Sequence, residues 1–408
     1  MFEKEVNPDN VKEAEFVVAI PSYNEADSIA YPVQQADKGI SAFFGNMKSV
    51  IINCDNNSQD GTKEIFLGIK TDTPKIYIST EPGITGKGNN FRNLFQKIVD
   101  LKATGVVVVD ADLKSITPLW IKNLGDPLFQ DFSYVAPIYI RHKYDGTITN
   151  SIAYPLTRSL YGRRVRQPIG GDFGFSGQLA QTYLQNNAWT DAVSNFGIDI
   201  WMTTIAINEN SPICQAFMGR PKIHRAKDPG SDLGPMFRQV LGTIFDLMIK
   251  FHPFWSNVKW SKPTSIFGFG LGETETPPPV SVNKDILLKK FQEGFTLYNQ
   301  IWEKVLLKAA KTKLQEIGKM DEEQFDFPTN LWVNVLIDFA VAYRDKIFNR
   351  EELLDSLIPI YMGKTLSFVK KTARMSIRES EAFIEEECTQ FEAAKNLFVQ
   401  RWNDKETA

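Results

Sequence analysis

Two carboxylates, Asp110 and Asp112, stand two residues apart where the apolar run of "VVVVDADLKS" (106–115) ends. Hard divalent cations prefer oxygen ligands and relieve the repulsion between neighbouring acids, so this spacing suits Mg2+ or Mn2+. An Asp-x-Asp pair also closes capping turns. Upstream, in "GITGKGNNFRNLF", Gly86, Lys87 and Gly88 open a helix, where free backbone amides and a lysine would meet phosphate oxygens. The stretch is not a Walker sequence, lacking the upstream glycine and the Ser or Thr after the lysine; its other reading is a flexible turn with a solvated lysine. Further on, Gly170 and Gly171 in "RQPIGGDFGFSG" can bring backbone close to a flat ligand. Asp199 in "NFGIDIWMTTIA" either joins a site or complements a helix N-terminus. His224 in "KIHRAKDPG" is either an ordinary imidazole or a nitrogen ligand that tilts the metal choice towards manganese.

The elements that must position these groups are legible as apolar runs. "FVVAI" (16–20), "SVIINC" (49–54), "KIYIS" (75–79) and "VVVVD" (106–110) read as strands, separated by helix-like stretches following Asn24, Asp60 and Asn89, each with N-cap chemistry near its start. That rhythm predicts an α/β fold with a mainly parallel central sheet and helices on both faces. Ligands of such sheets gather beyond the carboxyl ends of the strands, and here those ends are polar, three of them carrying acids. After Phe251 a Pro-, Gly- and Trp-rich stretch breaks the pattern, and from about Asn283 apolar residues recur at helical spacing. The expected division is therefore a catalytic domain over 1–250, a connection over 251–282 and an all-α C-terminal domain over 283–408.

Composition narrows the partners. A formal net charge of -3 over 408 residues gives no general attraction to nucleic acid or to an anionic membrane. Three cysteines, far apart and odd in number, argue against a disulfide framework or a structural zinc site. The polar N-terminus lacks the pattern of a signal peptide, and no stretch reaches about 18 uninterrupted apolar residues. These features lead to the expectation of a cytoplasmic protein with no membrane span.

Taken together, "IPSYNEADS", "DNNSQDGT", "GKG" and "DADL" resemble the nucleotide-diphospho-sugar glycosyltransferases of the A fold. The order "QPIGGDF", "FGIDIW", "KIHR" is similar to the retaining glucosyl-3-phosphoglycerate synthases and, more closely, to the mannosylglycerate and glucosylglycerate synthases. "YIRHKYDGTITNSIAYPLTR" matches the acceptor region of the latter, and the helical extension is similar to theirs. One departure is Asp172, which stands where those synthases tend to have Glu; another is Ala226 followed by Lys227.

The resemblance implies a retaining hexosyltransferase with a Mn2+ or Mg2+ ion, moving mannose or glucose from GDP-mannose, GDP-glucose or UDP-glucose to D-glycerate, in compatible-solute synthesis. It implies Asp112 and His224, with Asp110, at the metal. Pro21, Tyr23, Glu25, Asp55, Lys87, Asp110, Ala111, Gly170 and Gly171 would bind the donor. Arg141, Asp145, Thr149, Ile169 and Arg225 would bind the acceptor, and Asp199 and Arg141 would act in catalysis. The C-terminal helices either support a homodimer or cover the acceptor site. Three rivals remain: 3-phosphoglycerate as acceptor, met by Arg163, Arg164 and Arg166; a nucleotidyltransferase releasing pyrophosphate; and a non-catalytic sugar-nucleotide-binding or scaffold protein.

Overall fold

The computed structural model describes residues 4–224, 234–268 and 275–404. Among them, the apolar runs form one nine-stranded sheet of β1 (Lys4–Val6), β2 (Phe16–Ser22), β3 (Ser49–Asp55), β4 (Lys75–Ser79), β5 (Gly105–Val108), β6 (Tyr134–Ile140), β7 (Phe173–Ser176), β8 (Ile213–Pro221) and β9 (Ser265–Phe267), in the order β1-β4-β3-β2-β5-β7-β6-β8-β9. Neighbours β4, β3, β2 and β5 are parallel, as the alternation of strand and helix predicts. Every residue of β2, β4 and β5 is buried, which is why they read as unbroken apolar runs rather than alternating ones. The fold is thus α/β with a mainly parallel sheet, followed by a helical C-terminal part.

Two strands depart from the parallel pattern, β1 beside β4 and β7, and the second matters most for the site. β7 is antiparallel to both β5 and β6, with Val108 opposite Phe173. Its first residue therefore lies level with the last residue of β5. β6 and β8 are parallel to each other and antiparallel in sense to β7, so their carboxyl ends emerge at the same edge. The residues just outside these strands, Asp110, Arg141, Asp172 and Lys222, are brought to one end of the sheet by topology alone.

Helix starts differ from the expected ones in detail. The helix Ala30–Phe43 begins well after Asn24 and has no side-chain cap. Asp60 does supply the expected chemistry ahead of Thr62–Gly68, its carboxylate accepting from the Thr62 amide at 3.1 Å. The third helix, Lys87–Asp100, opens two residues before Asn89.

The chain folds as two compact units: one of residues 1–141, 165–226 and 263–278, the other of 142–164, 227–262 and 279–408. This grouping differs from the expected division at 250 and 283. The connection also carries β9, which pairs with β8. The second unit recruits the helices Tyr154–Tyr161 and Gly234–Lys250 from within the first 250 residues. Amphipathic helices that cover a sheet and those that enter a bundle have the same sequence period, so periodicity could not separate them.

The second unit shows what holds the early segment in place. Arg158, with only 4% of its side chain exposed, donates through Nε and Nη2 to both oxygens of Glu392, at 2.8 and 3.0 Å, and through Nη1 to Glu385 at 2.5 Å. Lys395 donates to the Ser159 and Leu160 carbonyls, closing the C-terminal end of the same helix. Lys364, also buried, is paired with Glu387, which in turn accepts from Thr329 at 2.5 Å. All three cysteines are buried thiols. Among the described residues no helix is long and apolar enough to cross a membrane.

Arg158→Met would leave two carboxylates beside a buried methyl group. Because both glutamates are partly exposed, the expected cost is about 2 kcal/mol, below that of breaking a fully buried pair. Chemical denaturation should report it, and adding Glu392→Gln should recover part of the loss.

Candidate active site

At the carboxyl end of β5 the chain turns at Asp110, and both of its carboxylate oxygens are engaged. Lys87 Nζ lies 3.1 Å from Oδ1 and Lys222 Nζ 2.8 Å from Oδ2. Lys87, the first residue of its helix, also pairs with Asp199 in the first turn of the helix Ile198–Asn208, at 3.3 Å. Lys222, one residue beyond β8, donates in addition to Asp172 Oδ2 at 2.9 Å and to the Gly170 carbonyl at 2.8 Å. Asp172, fully buried, accepts from the Asp110 amide at 2.9 Å and from the Tyr139 hydroxyl. Three acids and two lysines thus form one continuous ionic cluster.

The environment separates the acids. Burial opposes the ionised form of Asp110, but Lys222 and Lys87 outweigh it and hold the group far below the usual carboxylate range. Burial raises the pKa of Asp172, with Lys222 opposing and Asp110 adding to the rise. Asp199 is raised by burial too, against Lys87. Burial works against both ammonium groups, yet their acid partners prevail and both pKa values rise. Acids pushed apart in this way mark a site where protonation states are assigned by position.

The Asp112 loop is stitched to the strand end that carries His224. The Lys114 amide donates to the Ile223 carbonyl at 2.8 Å, and the Ile223 amide donates to Ser115 Oγ at 2.8 Å. Asp112 and His224 are both half-buried. Among the described residues no group of three His, Cys, Asp or Glu side chains could hold an ion unaided. The donor set nevertheless fits a hard cation completed by substrate phosphates, since Mg2+ commonly takes only one or two protein carboxylates and draws its other ligands from phosphate and water.

Several expected site residues already have partners within the protein. Four amides around this helix opening are already bonded within the protein: Gly86 donates to Asn56 Oδ1, Gly88 to the Asn195 carbonyl, Asn89 to the Ser194 carbonyl and Asn90 to the Gly86 carbonyl. The Lys87 ammonium itself is directed at Asp110 and Asp199. Asp55, expected in the base and ribose pocket, is buried, and its carboxylate accepts from Ser22 Oγ, the Ser58 amide, Ser58 Oγ and the Tyr77 hydroxyl, all within 2.9 Å. Four donors fill the acceptor capacity of a carboxylate, which makes Asp55 the organiser of that loop. Ala111 turns its side chain into the apolar core.

The remaining positions are as follows. Pro21 is buried in β2 opposite Cys54, Tyr23 just beyond it is 53% exposed, and Glu25 is half-buried with its amide on Thr62 Oγ1. Arg141 follows β6 and lies over the Tyr139 ring, its Cζ 5.0 Å from the centroid. Ile169 is half-buried next to the glycine pair. Asp145 and Thr149 belong to the second unit, where Thr149 is buried at the start of a π-helical turn. Arg225 lies outside the described residues. Of the arginines expected for a phosphorylated acceptor, Arg163 and Arg164 fall in the second unit and Arg166 in the first, with Arg164 Nε on Ser261 Oγ at 2.8 Å.

Lys222 and Tyr139 are the members of this cluster that sequence reasoning missed. Tyr139 lies in β6 and Lys222 one residue beyond β8, and no local pattern joins either to the acids.

No family model matches the chain, and no curated protein matches it. Solved structures do. The glucosyl-3-phosphoglycerate synthase from Mycobacterium tuberculosis in complex with Mn2+, uridine diphosphate and glucosyl-3-phosphoglycerate is 22% identical, over 57% of this chain and 80% of that one, with a TM-score of 0.46. The same enzyme with Mg2+ and uridine diphosphate gives 22% identity over 57% and 79%, at 0.46. With Mn2+, UDP-glucose and glycerol 3-phosphate it gives 22% over 57% and 80%, at 0.44.

Lys87 is aimed by a close approach of backbones: a Cβ on Gly88 would fall 1.8 Å from the Val193 carbonyl oxygen. Gly88→Ala must push the 193–195 segment away and with it the helix start that carries Lys87. The expected result is a loss of about 2 kcal/mol or more of stability. Chemical denaturation will measure it.

Proposed function

We propose that the chain is a retaining hexosyltransferase that carries a hexose from a nucleoside-diphosphate sugar to a small carboxylate acceptor of the glycerate type. The observation that carries this reading is the convergence at one end of the sheet: Asp110 clamped by two ammonium groups, with the Asp112 loop bonded to the strand end bearing His224. The resemblance of "DADL", "GKG" and "KIHR" to the A-fold transferases supports it further.

Asp112 and His224 would hold the divalent cation, which when bound supplies Lewis-acid stabilisation of the leaving diphosphate. Lys87 meets the same diphosphate as a point charge, and Asp110 aligns Lys87 and Lys222. Tyr23, exposed beyond β2, offers a face for the base. Arg141, preorganised over the Tyr139 ring, clamps the acceptor carboxylate through two parallel N–H···O bonds, a geometry lysine does not provide.

Chemistry then consists mainly of orientation. The acceptor hydroxyl attacks the anomeric carbon on the face the diphosphate leaves. The C–O bond to the acceptor forms as that to phosphate breaks, and the hydroxyl proton passes to the departing phosphate oxygen. Asp199, tied to Lys87, holds sugar hydroxyls rather than attacking carbon. Glycerate is preferred to 3-phosphoglycerate in this reading because Arg164, one of the arginines a phosphorylated acceptor would call on, is already bonded to Ser261. Mannose or glucose, and guanine or uracil, are the donor choices to be resolved.

A thermal-shift screen of nucleoside diphosphates with and without Mn2+ tests the reading directly. The right base, at a hundred-fold excess over its Kd, should stabilise the protein by about 2.7 kcal/mol. The shift should shrink on chelation and in Asp112→Asn and His224→Ala. If no nucleoside diphosphate moves the midpoint in the presence of Mn2+, the donor reading is wrong. Transfer assays with glycerate and 3-phosphoglycerate in competition then identify the acceptor.

A further inference from the structure

Lys222 has a claim on the site that the sequence motifs do not make for it. Its side chain is 4% exposed, and its single ammonium group is shared among three oxygens: Asp110 Oδ2, Asp172 Oδ2 and the Gly170 carbonyl, all within 2.9 Å. An ammonium has three N–H donors, and here each has one acceptor. The fit is complete, with the Tyr139 ring lying 5.0 Å from Nζ as a further wall.

What the three acceptors have in common is that they belong to different pieces of the site. Asp110 follows β5 by two residues, Asp172 immediately precedes β7, and Gly170 lies in the glycine turn just before it. Gly171 has φ +88, and a Cβ there would fall 2.5 Å from Asp110 Oδ2 and 2.9 Å from Lys222 Nζ. The turn is therefore pressed against the very ion pair that Lys222 makes. Without the ammonium, the partly buried Asp110 and the buried Asp172 would face each other with Lys87 alone, and the carbonyl of Gly170 would lose its donor.

We propose that Lys222 is a positioning residue which fixes the Gly170–Gly171 turn against Asp110, and so sets where the transferred sugar lies relative to the diphosphate. The part concerning the sugar rests on the donor reading above; the part concerning the turn does not. Lys222 acts through Asp110 and the turn and need not touch substrate. Its removal acts on turnover through geometry rather than through loss of a binding group.

The test uses the full chain with Lys222→Met and the double variant Lys222→Met/Asp172→Asn, which removes one acid together with the cation and so guards against a single variant that fails to fold. Hydrogen–deuterium exchange of peptides covering 167–173 is expected to accelerate at least ten-fold in Lys222→Met, while β2 and β3 peptides keep wild-type rates, and to return part of the way in the double variant. Protection of 167–173 equal to wild type in either variant overturns the proposal. General acceleration across the sheet, not relieved in the double variant, also overturns it, because that is the signature of a merely structural lysine. Transferase kinetics add the second readout: kcat should fall at least thirty-fold with KM for the donor changed less than three-fold, and Asp172→Asn should restore part of kcat. The exchange result needs no ligand, so it judges Lys222 even if wild-type protein ignores every nucleoside diphosphate, an outcome that counts against the donor reading instead.

Discussion

Burying charge is the constraint from which the architecture of this site follows. Moving an ion out of water costs several kcal/mol even after relaxation, and the cost is met only where partners are complete. Beneath the end of β5 three carboxylates and two ammonium groups are largely withdrawn from solvent together, and each is paired with others of the set. Asp110 is the member through which both lysines communicate. The pairing also fixes backbone: the start of the helix Lys87–Asp100 and the end of β8 are anchored to the Asp110 carboxylate, and the glycine turn before β7 is anchored to Lys222. Three acids against two lysines leave one unit of negative charge, at an edge where Arg141 brings a further cation over Tyr139.

The sheet makes this crowding affordable because its reversal is local. A purely parallel sheet would bring only the ends of strands to the site. Inserting β7 antiparallel between β5 and β6 delivers the beginning of a strand to that edge, and with it Asp172 and the two glycines before it. Glycine is required at 171 because of both its positive φ and the acid oxygen that occupies the space of a side chain. The same device explains why Asp172, although preceding a strand, is buried: it sits level with the end of β5, where its amide-accepting oxygen continues the ladder to Asp110.

Much of the first unit was legible because fully buried parallel strands announce themselves as uninterrupted apolar runs. β2, β3, β4 and β5 lie within a residue or two of the predicted stretches. The acid pair, the lysine at the helix opening and the histidine were legible as types at spacings. Pairing was not. That Lys222 would reach Asp110, 112 residues earlier, depends on strand order, which no local pattern encodes. The same limit hid the bonding of helix amides to the 194–195 backbone and the saturation of Asp55 by Ser22, Ser58 and Tyr77. The second unit's claim on 142–164 was hidden for another reason: its strongest tether, Arg158 to Glu385 and Glu392, spans more than two hundred residues, and a buried arginine on an amphipathic helix reads as a solvated one.

The placement of Asp199 bears on how a retaining transfer would run. A carboxylate that attacks an anomeric carbon must be ionised and able to leave its partners. Burial raises the pKa of Asp199, and the ionised form is sustained chiefly by Lys87, the same ammonium that holds Asp110. A diphosphate arriving at Lys87 competes for that ammonium with two acids. Of these, Asp110 keeps a second cation in Lys222, whereas the pairing of Asp199 rests on Lys87. Donor binding would therefore make Asp199 harder to ionise at the moment when a nucleophile is needed, and better suited to hydrogen-bonding a sugar hydroxyl as donor or acceptor. In the proposed reading, attack by the acceptor on the leaving-group face requires no ionised carboxylate at that position.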